Sequence, residues 1–276
     1  MKKLCFDIEH LECSYNKSDV VLRLSDVQIP ESSLVFILGA SGIGKSTLLE
    51  TLGLMNNTFS PLCKNVIRFK GEESDSYVLN ADIWSDRELL CNFRYNHYSF
   101  VFQEDFLIPS MTIGENLTLM LRKRLTERQA KESILKLFPK IDLHASLYDR
   151  RINEVSGGQK KRISFLKAFA KDFTVLFMDE PTGNLDPYTS DQVMQLTKEY
   201  LSESGKTGIV VSHDIRLAAK YADTIYVLDH DQSNNTGRLL STNTFVPIDG
   251  SWLNRTGESI LDVFQEISRI YRSDGA

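Results

Sequence analysis

The sequence predicts an α/β fold built around a central, mainly parallel sheet. Leu34-Val35-Phe36-Ile37-Leu38, Val175-Leu176-Phe177-Met178 and Gly208-Ile209-Val210-Val211 are short, uninterrupted apolar runs. Strands buried on both faces read this way, and they occur where helices cover a parallel sheet. Each run is followed by a polar turn: a glycine-rich stretch from Gly39 to Ser46, Asp179-Glu180, and Ser212-His213-Asp214. Segments of helical spacing lie between the runs, as βαβ crossovers require.

The elements follow in chain order. Residues 4–12 and 20–29 read as strands of an antiparallel N-terminal sheet, with Tyr15 in the connection between them. The strand at 34–38 runs into Gly39-Ala40-Ser41-Gly42-Ile43-Gly44-Lys45-Ser46-Thr47, which has the Gly-x4-Gly-Lys-Ser spacing of a P-loop. Its glycines let backbone amides approach phosphate oxygens, and the helix beginning at Lys45 adds unpaired N–H groups and a partial positive charge. Lys45 is expected on the β- and γ-phosphates of a nucleoside triphosphate, and Ser46 on Mg²⁺. The stretch 57–96 is less regular, with strands near 66–69 and 77–79 around a polar turn at 71–76. Residues 113–125, 126–138 and 159–171 have helical spacing, and Thr126-Glu127-Arg128-Gln129 carries a capping-box pattern.

The second polar turn supplies acid. Asp179 at a strand end is placed to order Mg²⁺, and Glu180 to polarise the water that attacks the γ-phosphate. Val155-Ser156-Gly157-Gly158-Gln159 is a different anion site in outline. Ser156 is a natural N-cap, and the two glycines expose amides at a helix start.

In this order the motifs resemble those of ATP-binding cassette (ABC) nucleotide-binding subunits, over nearly all of residues 4–229. The resemblance implies a P-loop NTPase cassette with an antiparallel β-subdomain and a helical signature subdomain. It implies ATP and Mg²⁺ as ligands and ATP hydrolysis as the activity. Tyr15 stands where the family stacks an aromatic on adenine. Gln103 stands where a glutamine senses Mg²⁺ and the attacking water and links to the membrane partner. Ser156-Gly157-Gly158-Gln159 matches the signature motif, Asn184-Leu185-Asp186 the loop that crosses the dimer interface, and His213 the switch histidine on the γ-phosphate. Val155 replaces the usual leucine of the signature, and Ser212 stands where threonine is common; neither change removes a catalytic group. A narrower resemblance, through Glu180-Pro181-Thr182-Gly183-Asn184-Leu185-Asp186 and the stretch from Phe102 to Asn116, is to the bacterial group of lipoprotein-release, macrolide-export and cell-division ATPases.

The partners implied are a second ATP-binding subunit, a homodimer ahead of a heterodimer, and integral membrane subunits docking near residues 103–109. The place implied is the cytoplasmic face of the cell membrane. A soluble repair or translation ATPase is the alternative class. Its members carry coiled-coil inserts or two cassettes, whereas this chain shows one cassette and no heptad run. The net charge of −5 argues against a nucleic-acid surface, and Lys160-Lys161-Arg162 reads as a solvated helix face. The four cysteines show no zinc spacing and read as reduced thiols, and no apolar stretch reaches membrane-spanning length. Residues 1–229 are expected as the ATP-binding domain, with 104–171 as the helical subdomain. Residues 230–276 are expected as an extension: a loop at 231–237, then a helix at 259–271 with Ile260, Phe264, Ile267 and Tyr271 on the face packed against the core.

Overall fold

A computed structural model of the chain describes residues 3–16, 19–71, 76–121, 125–231, 234, 236–248, 251–260 and 262–273. The first strands are β1 (Leu4–Ser14), β2 (Val20–Pro30), β3 (Leu34–Leu38), β4 (Val66–Lys70), β5 (Ser76–Leu79) and β6 (Tyr98–Val101). They are followed by β7 (Val175–Asp179), β8 (Thr207–Ser212), β9 (Thr224–Asp231), β10 (Thr236–Ile248), β11 (Ser251–Asn254) and β12 (Ser259–Ile260). The helices are α1 (Lys45–Leu52), α2 (Arg87–His97), α3 (Ile113–Thr118), α4 (Glu127–Leu137), α5 (Gly157–Phe169), α6 (Pro187–Ser204), α7 (Ile215–Tyr221) and α8 (Val263–Ser273).

Among the described residues the strands form one mixed sheet, ordered β5-β4-β1-β2-β10-β9-β3-β8-β7-β6, with β11 and β12 branching from β10. β9, β3, β8, β7 and β6 are mutually parallel, whereas β1, β2, β4 and β5 pair antiparallel. β3 and β8 are buried along their whole length because an apolar layer covers each face, which is why they lack alternation. Two core layers lie on either side of this sheet. A third, around Ile113, Ile134, Phe138 and Ile163, belongs to the helical region.

Several elements differ from the sequence expectation. The helix expected over 113–125 ends at Thr118 and tightens into a 3₁₀ turn at Leu119–Leu121; residues 122–124 lie outside the described residues. Thr118 donates its hydroxyl to the Gly114 carbonyl at 2.8 Å, a back-bond that disfavours straight continuation. In the irregular stretch, α2 was not anticipated. Asp86 caps it by accepting from Glu88 and Leu89, and Leu90 and Phe93 bury its inner face. The expected turn at 71–76 falls mostly outside the described residues, as do residues 232, 233 and 235 of the expected loop at 231–237.

The last segment also changes. Ser259 and Ile260 are a short strand paired to β11, so the helix begins at Val263. Its inner face is Val263 and Ile267, with Ile270 and Tyr271 beside them, while Phe264 is 49% exposed. The shift follows from pairing. Asn254 and the turn through Gly257 close a β11–β12 hairpin, which fixes Ile260 in the sheet before the helix can start.

β10 lies between β2 and β9. At Gly237 it passes under the P-loop so closely that a Cβ would sit 2.1 Å from the Ile43 carbonyl oxygen. Gly237→Ala is therefore expected to lower stability by about 1–3 kcal/mol, through overpacking against backbone. It should also weaken ATP binding, since Ile43 belongs to the loop. Denaturant melts and nucleotide titration check this; wild-type values in both would contradict the contact.

Candidate functional site

Parallel pairing brings three turns to one edge. β3 pairs with β8 in register from Leu34–Gly208 to Leu38–Ser212, and β7 pairs with the other side of β8 up to Asp179–Val211. The P-loop, Asp179-Glu180 and Ser212-His213 therefore leave the sheet side by side, at the carboxyl ends of its strands. Ligands of open α/β sheets bind at that edge.

In the P-loop, Gly42 (φ 81°) and Gly44 (φ 102°) occupy the left-handed region, where a side chain would be strained. Gly44 is the residue before α1, so the loop folds directly into a helix N-terminus. Gly39 is packed tightly, since a Cβ there would meet Ile43 Cγ2 at 2.9 Å. Ser41 is exposed at the loop's tip. Lys45 is buried and donates to the carbonyls of Gly39 (2.8 Å) and Ala40 (2.9 Å). Burial holds its ammonium below the usual lysine pKa, and Glu180 and Asp179 pull it back up. The loop is thus a ring of backbone folded around one cation, suited to surround a phosphate.

The carboxylates complete the edge. Ser46 donates its hydroxyl to Asp179 Oδ1 at 3.3 Å. Burial raises the Asp179 pKa, the Ser46 hydrogen bond lowers it, and the Glu180 and Glu50 charges raise it. A carboxylate in that position gains from a nearby cation. Among the described residues no group of three or more His, Cys, Asp or Glu side chains could hold a metal. Mg²⁺ prefers one or two protein oxygens plus phosphates and water to an all-protein cage. Ser46 and Asp179 are the residues that could hold it, and exposed Gln103 lies beside the same turn. A Cβ on Gly183 would be 3.7 Å from Gln103 Nε2.

Glu180 has φ 42°, an uncommon backbone state for a residue with a side chain. Its N–H donates to the Val211 carbonyl at 3.0 Å, and its carbonyl accepts from Gly183 at 3.1 Å. Its Oε1 lies 3.0 Å from His213 Nδ1, and its Oε2 accepts from the Ser212 hydroxyl at 3.3 Å. The Glu180 side chain is 19% exposed and the His213 side chain 70%, so the acid is enclosed while its histidine partner faces solvent. Tyr15 lies in the β1–β2 connection with its ring 59% exposed. Its hydroxyl is 3.0 Å from Thr47 Oγ1, which leaves the ring beside the P-loop helix with a free face.

The signature turn forms as expected but stays open. Ser156 and Gln159 make a reciprocal capping box: Gln159 N–H donates to Ser156 Oγ (3.2 Å), and Ser156 N–H to Gln159 Oε1 (3.0 Å). Added Cβ atoms on Gly157 or Gly158 would meet nothing within 4 Å. This helix start thus presents uncovered amides, and Ser156 is exposed. Asp186 caps α6, accepting from Tyr188 and Thr189 N–H groups at 3.0 Å and from the Thr189 hydroxyl at 2.6 Å. These bonds, the Thr189 hydroxyl first, hold its carboxyl below the usual range.

One reading of the cluster at 160–162 is corrected. Lys161 is buried rather than solvated, with Nζ on the carbonyls of Phe102 and Gln103 (both 3.0 Å) and 3.3 Å from Asp105 Oδ1. It ties α5 to the loop that carries Gln103. Arg162 reaches Asp142 in the same way. The available signal was position: on α5 Lys161 lies three residues before Ser164 and four before Phe165, both buried. Beside this loop lies a groove of about 390 Å³ lined by Met55, Phe100, Phe102, Phe106 and Met120, with Arg94 and Glu104 at its polar side. Phe106 is 62% exposed, whereas Leu107 packs into the helical core. Among the described residues no helix is long and apolar enough to cross a membrane, and Cys5, Cys13, Cys63 and Cys91 are unbridged.

Comparison with known proteins agrees with this geometry. The family model described as ABC transporter matches residues 22–183, more than half of the chain. The ABC transporter ATP-binding protein MJ0796 of Methanocaldococcus jannaschii is 32% identical over 213 residues, covering 75% of this chain and 85% of that protein. The lipoprotein-releasing system ATP-binding protein LolD of Myxococcus xanthus is 35% identical over 199 residues, covering 72% and 83%. The solved dimeric structure of MJ0796 in a post-hydrolysis state, bound to ADP and Pi, superposes with a TM-score of 0.67 at 26% identity. It covers 84% of this chain and 96% of that one. The chain belongs to the ABC transporter family, as an ATP-binding subunit that hydrolyses ATP.

Proposed function

We propose that this subunit works as half of a dimer that closes on ATP and so drives a membrane partner. The observation that carries the reading is the open signature turn. Ser156, Gly157 and Gly158 present a helix N-terminus with nothing covering it, while the P-loop of the same chain offers phosphate contacts from one side only. A second copy, placed head to tail, would bring its signature turn over the γ-phosphate. The dimeric ABC cassette structures of MJ0796 support that arrangement.

Within each site, Lys45 would neutralise the β- and γ-phosphates, and Gly39, Ser41, Gly42, Gly44 and Thr47 would frame them. The exposed Tyr15 ring would stack on adenine. Ser46, Asp179 and Gln103 would hold Mg²⁺, which would supply charge neutralisation for the phosphates. Glu180 would take a proton from water as the water oxygen bonds to the γ-phosphorus. The bond from that phosphorus to the bridging oxygen breaks, and ADP leaves with its electron pair. His213 would move its ring from Glu180 towards the γ-phosphate. Asp186, capping α6, would sit at the crossing point between subunits.

The groove beside Gln103 is the place we assign to the membrane subunits. Its apolar floor and charged rim suit a short amphipathic helix. The buried Lys161 contacts to Phe102 and Gln103 would pass a shift of that helix to the catalytic loop.

Three outcomes test these assignments. Glu180→Gln should keep ATP affinity and lower turnover by roughly 100-fold or more, since an amide matches the shape but cannot accept the proton. Near-normal turnover with bound nucleotide would exclude the role. Mixing Lys45→Ala chains with Ser156→Ala chains should restore ATPase that neither has alone, because one composite site in a mixed dimer is intact. No recovery, with mixed dimers verified, would count against the head-to-tail sandwich. Phe106→Asp should cut capture of the membrane subunit while leaving ATP affinity unchanged. The exposed ring and its φ of 32° make that substitution tolerable to the fold. Undiminished capture would remove the groove from the interface.

A further inference from the structure

We infer that Ser212 is a positioning residue for the catalytic carboxylate: its hydroxyl holds one oxygen of Glu180 so that the other is left to meet the attacking water. This rests on the reading of Glu180 as the group that accepts the water's proton.

The argument starts from proton direction. A serine hydroxyl has one hydrogen to give and two lone pairs to receive with. Ser212 Oγ accepts the Asp214 N–H at 3.1 Å, a bond inside the turn that starts α7. Its own hydrogen is then directed to Glu180 Oε2, 3.3 Å away. Ser212 is 2% exposed, so water does not compete for that hydrogen. The direction of the bond is set by the fold rather than by a rotating hydroxyl.

Glu180 needs such an anchor. It follows the end of β7 in a left-handed backbone state that side chains disfavour, and such states persist only where surroundings over-determine them. Its N–H is tied to the Val211 carbonyl on β8, one residue before Ser212. Backbone and side chain of Glu180 are therefore both fastened to the same strand end. That strand end is itself in register with the P-loop strand, through the pairing of Leu38 with Ser212.

The two carboxylate oxygens differ as a result. Oε2 faces an enclosed donor that belongs to the sheet. Oε1 faces His213, whose side chain is 70% exposed and is attached beyond the strand. When His213 turns to the γ-phosphate, Oε1 loses its partner and becomes free for water, while Oε2 stays pinned. The pivot leaves Oε1 on the His213 side, at the same strand ends from which the P-loop emerges. Orientation of this kind acts on the chemical step and leaves binding of ATP to the P-loop unaffected.

The test compares steady-state ATP hydrolysis by the full chain with Ser212→Ala, Ser212→Cys and Ser212→Thr. Loss of one hydrogen bond to a charged group predicts kcat about 10-fold lower in Ser212→Ala and Ser212→Cys, with KM for MgATP within about twofold of the parent. Ser212→Thr restores the hydroxyl and should rescue kcat. A merely structural role, such as the bond from Asp214 N–H, would lower the melting temperature or raise KM without a selective loss of kcat. Ser212→Cys, close to serine in size, carries the same comparison if Ser212→Ala does not fold. Parent-like kcat in the hydroxyl-free variants overturns the assignment, as does a Ser212→Thr chain as slow as Ser212→Ala, or a change confined to KM. Glu180→Gln measured alongside separates the two readings. If it still turns over, the role of Glu180 fails and this one with it. If it stops while the hydroxyl-free variants run at parent speed, the Ser212 assignment alone fails.

Discussion

Parallel pairing of β3 and β7 on opposite sides of β8 decides where the P-loop, Asp179-Glu180 and Ser212-His213 lie. Leu38 is level with Ser212, and Asp179 with Val211. A slip of one residue in either pair would turn the strand's alternate side chains to the other face of the sheet. It would carry Asp179 away from Ser46 and Glu180 away from Ser212. The full burial of these strands resists such a slip, because each face is packed against its own apolar layer. The chemistry is therefore set by the core, several residues before the chain reaches the reactive turns.

Charge shapes what this edge can bind. One buried ammonium, Lys45, stands among Asp179, Glu180 and Glu50, and its hydrogen bonds go to carbonyls of its own loop. The carboxylates outnumber the lysine, and Asp179 is held above its usual pKa first by burial. A divalent cation between phosphate and carboxylate relieves both conditions at once.

The helical region is joined to that edge by lysine contacts, two of them from buried side chains. Lys161 on α5 holds the carbonyls of Phe102 and Gln103, and Lys167 holds that of Phe106. Lys171, just past the helix, donates to the carbonyls of Tyr95 and Tyr98. Three lysines, six and four residues apart, thus stitch α5 and its end to the loop and strand at the groove's wall. Buried cations satisfied by carbonyls are costly to strip of one partner, so the helix and the loop should move as a unit.

Much of this was legible in the residues. Unbroken apolar runs mark strands buried on both faces. Gly42, Gly44, Lys45 and Ser46 carry the phosphate loop in their spacing, and Ser156 announces a capped helix start. These are local properties, set by neighbours within a turn or a strand length, so the chain's own order encodes them. Other features depend on partners distant in sequence. Lys161 looks solvated beside Lys160 and Arg162, and only the loop 58 residues earlier makes it a buried donor. Ile260 has the spacing of a helix face, but pairing with Trp252 puts it in a strand. Ser212 reads as a conservative change in a strand, and becomes a hydrogen-bond donor to Glu180 only because β7 ends beside β8. The sequence by itself determined the fold class, the phosphate loop and the order of the motifs, because periodicity and turn chemistry act over a few residues. Only the tertiary structure decided which side chains face one another across the strand ends, because those distances come from register and packing between segments far apart in the chain.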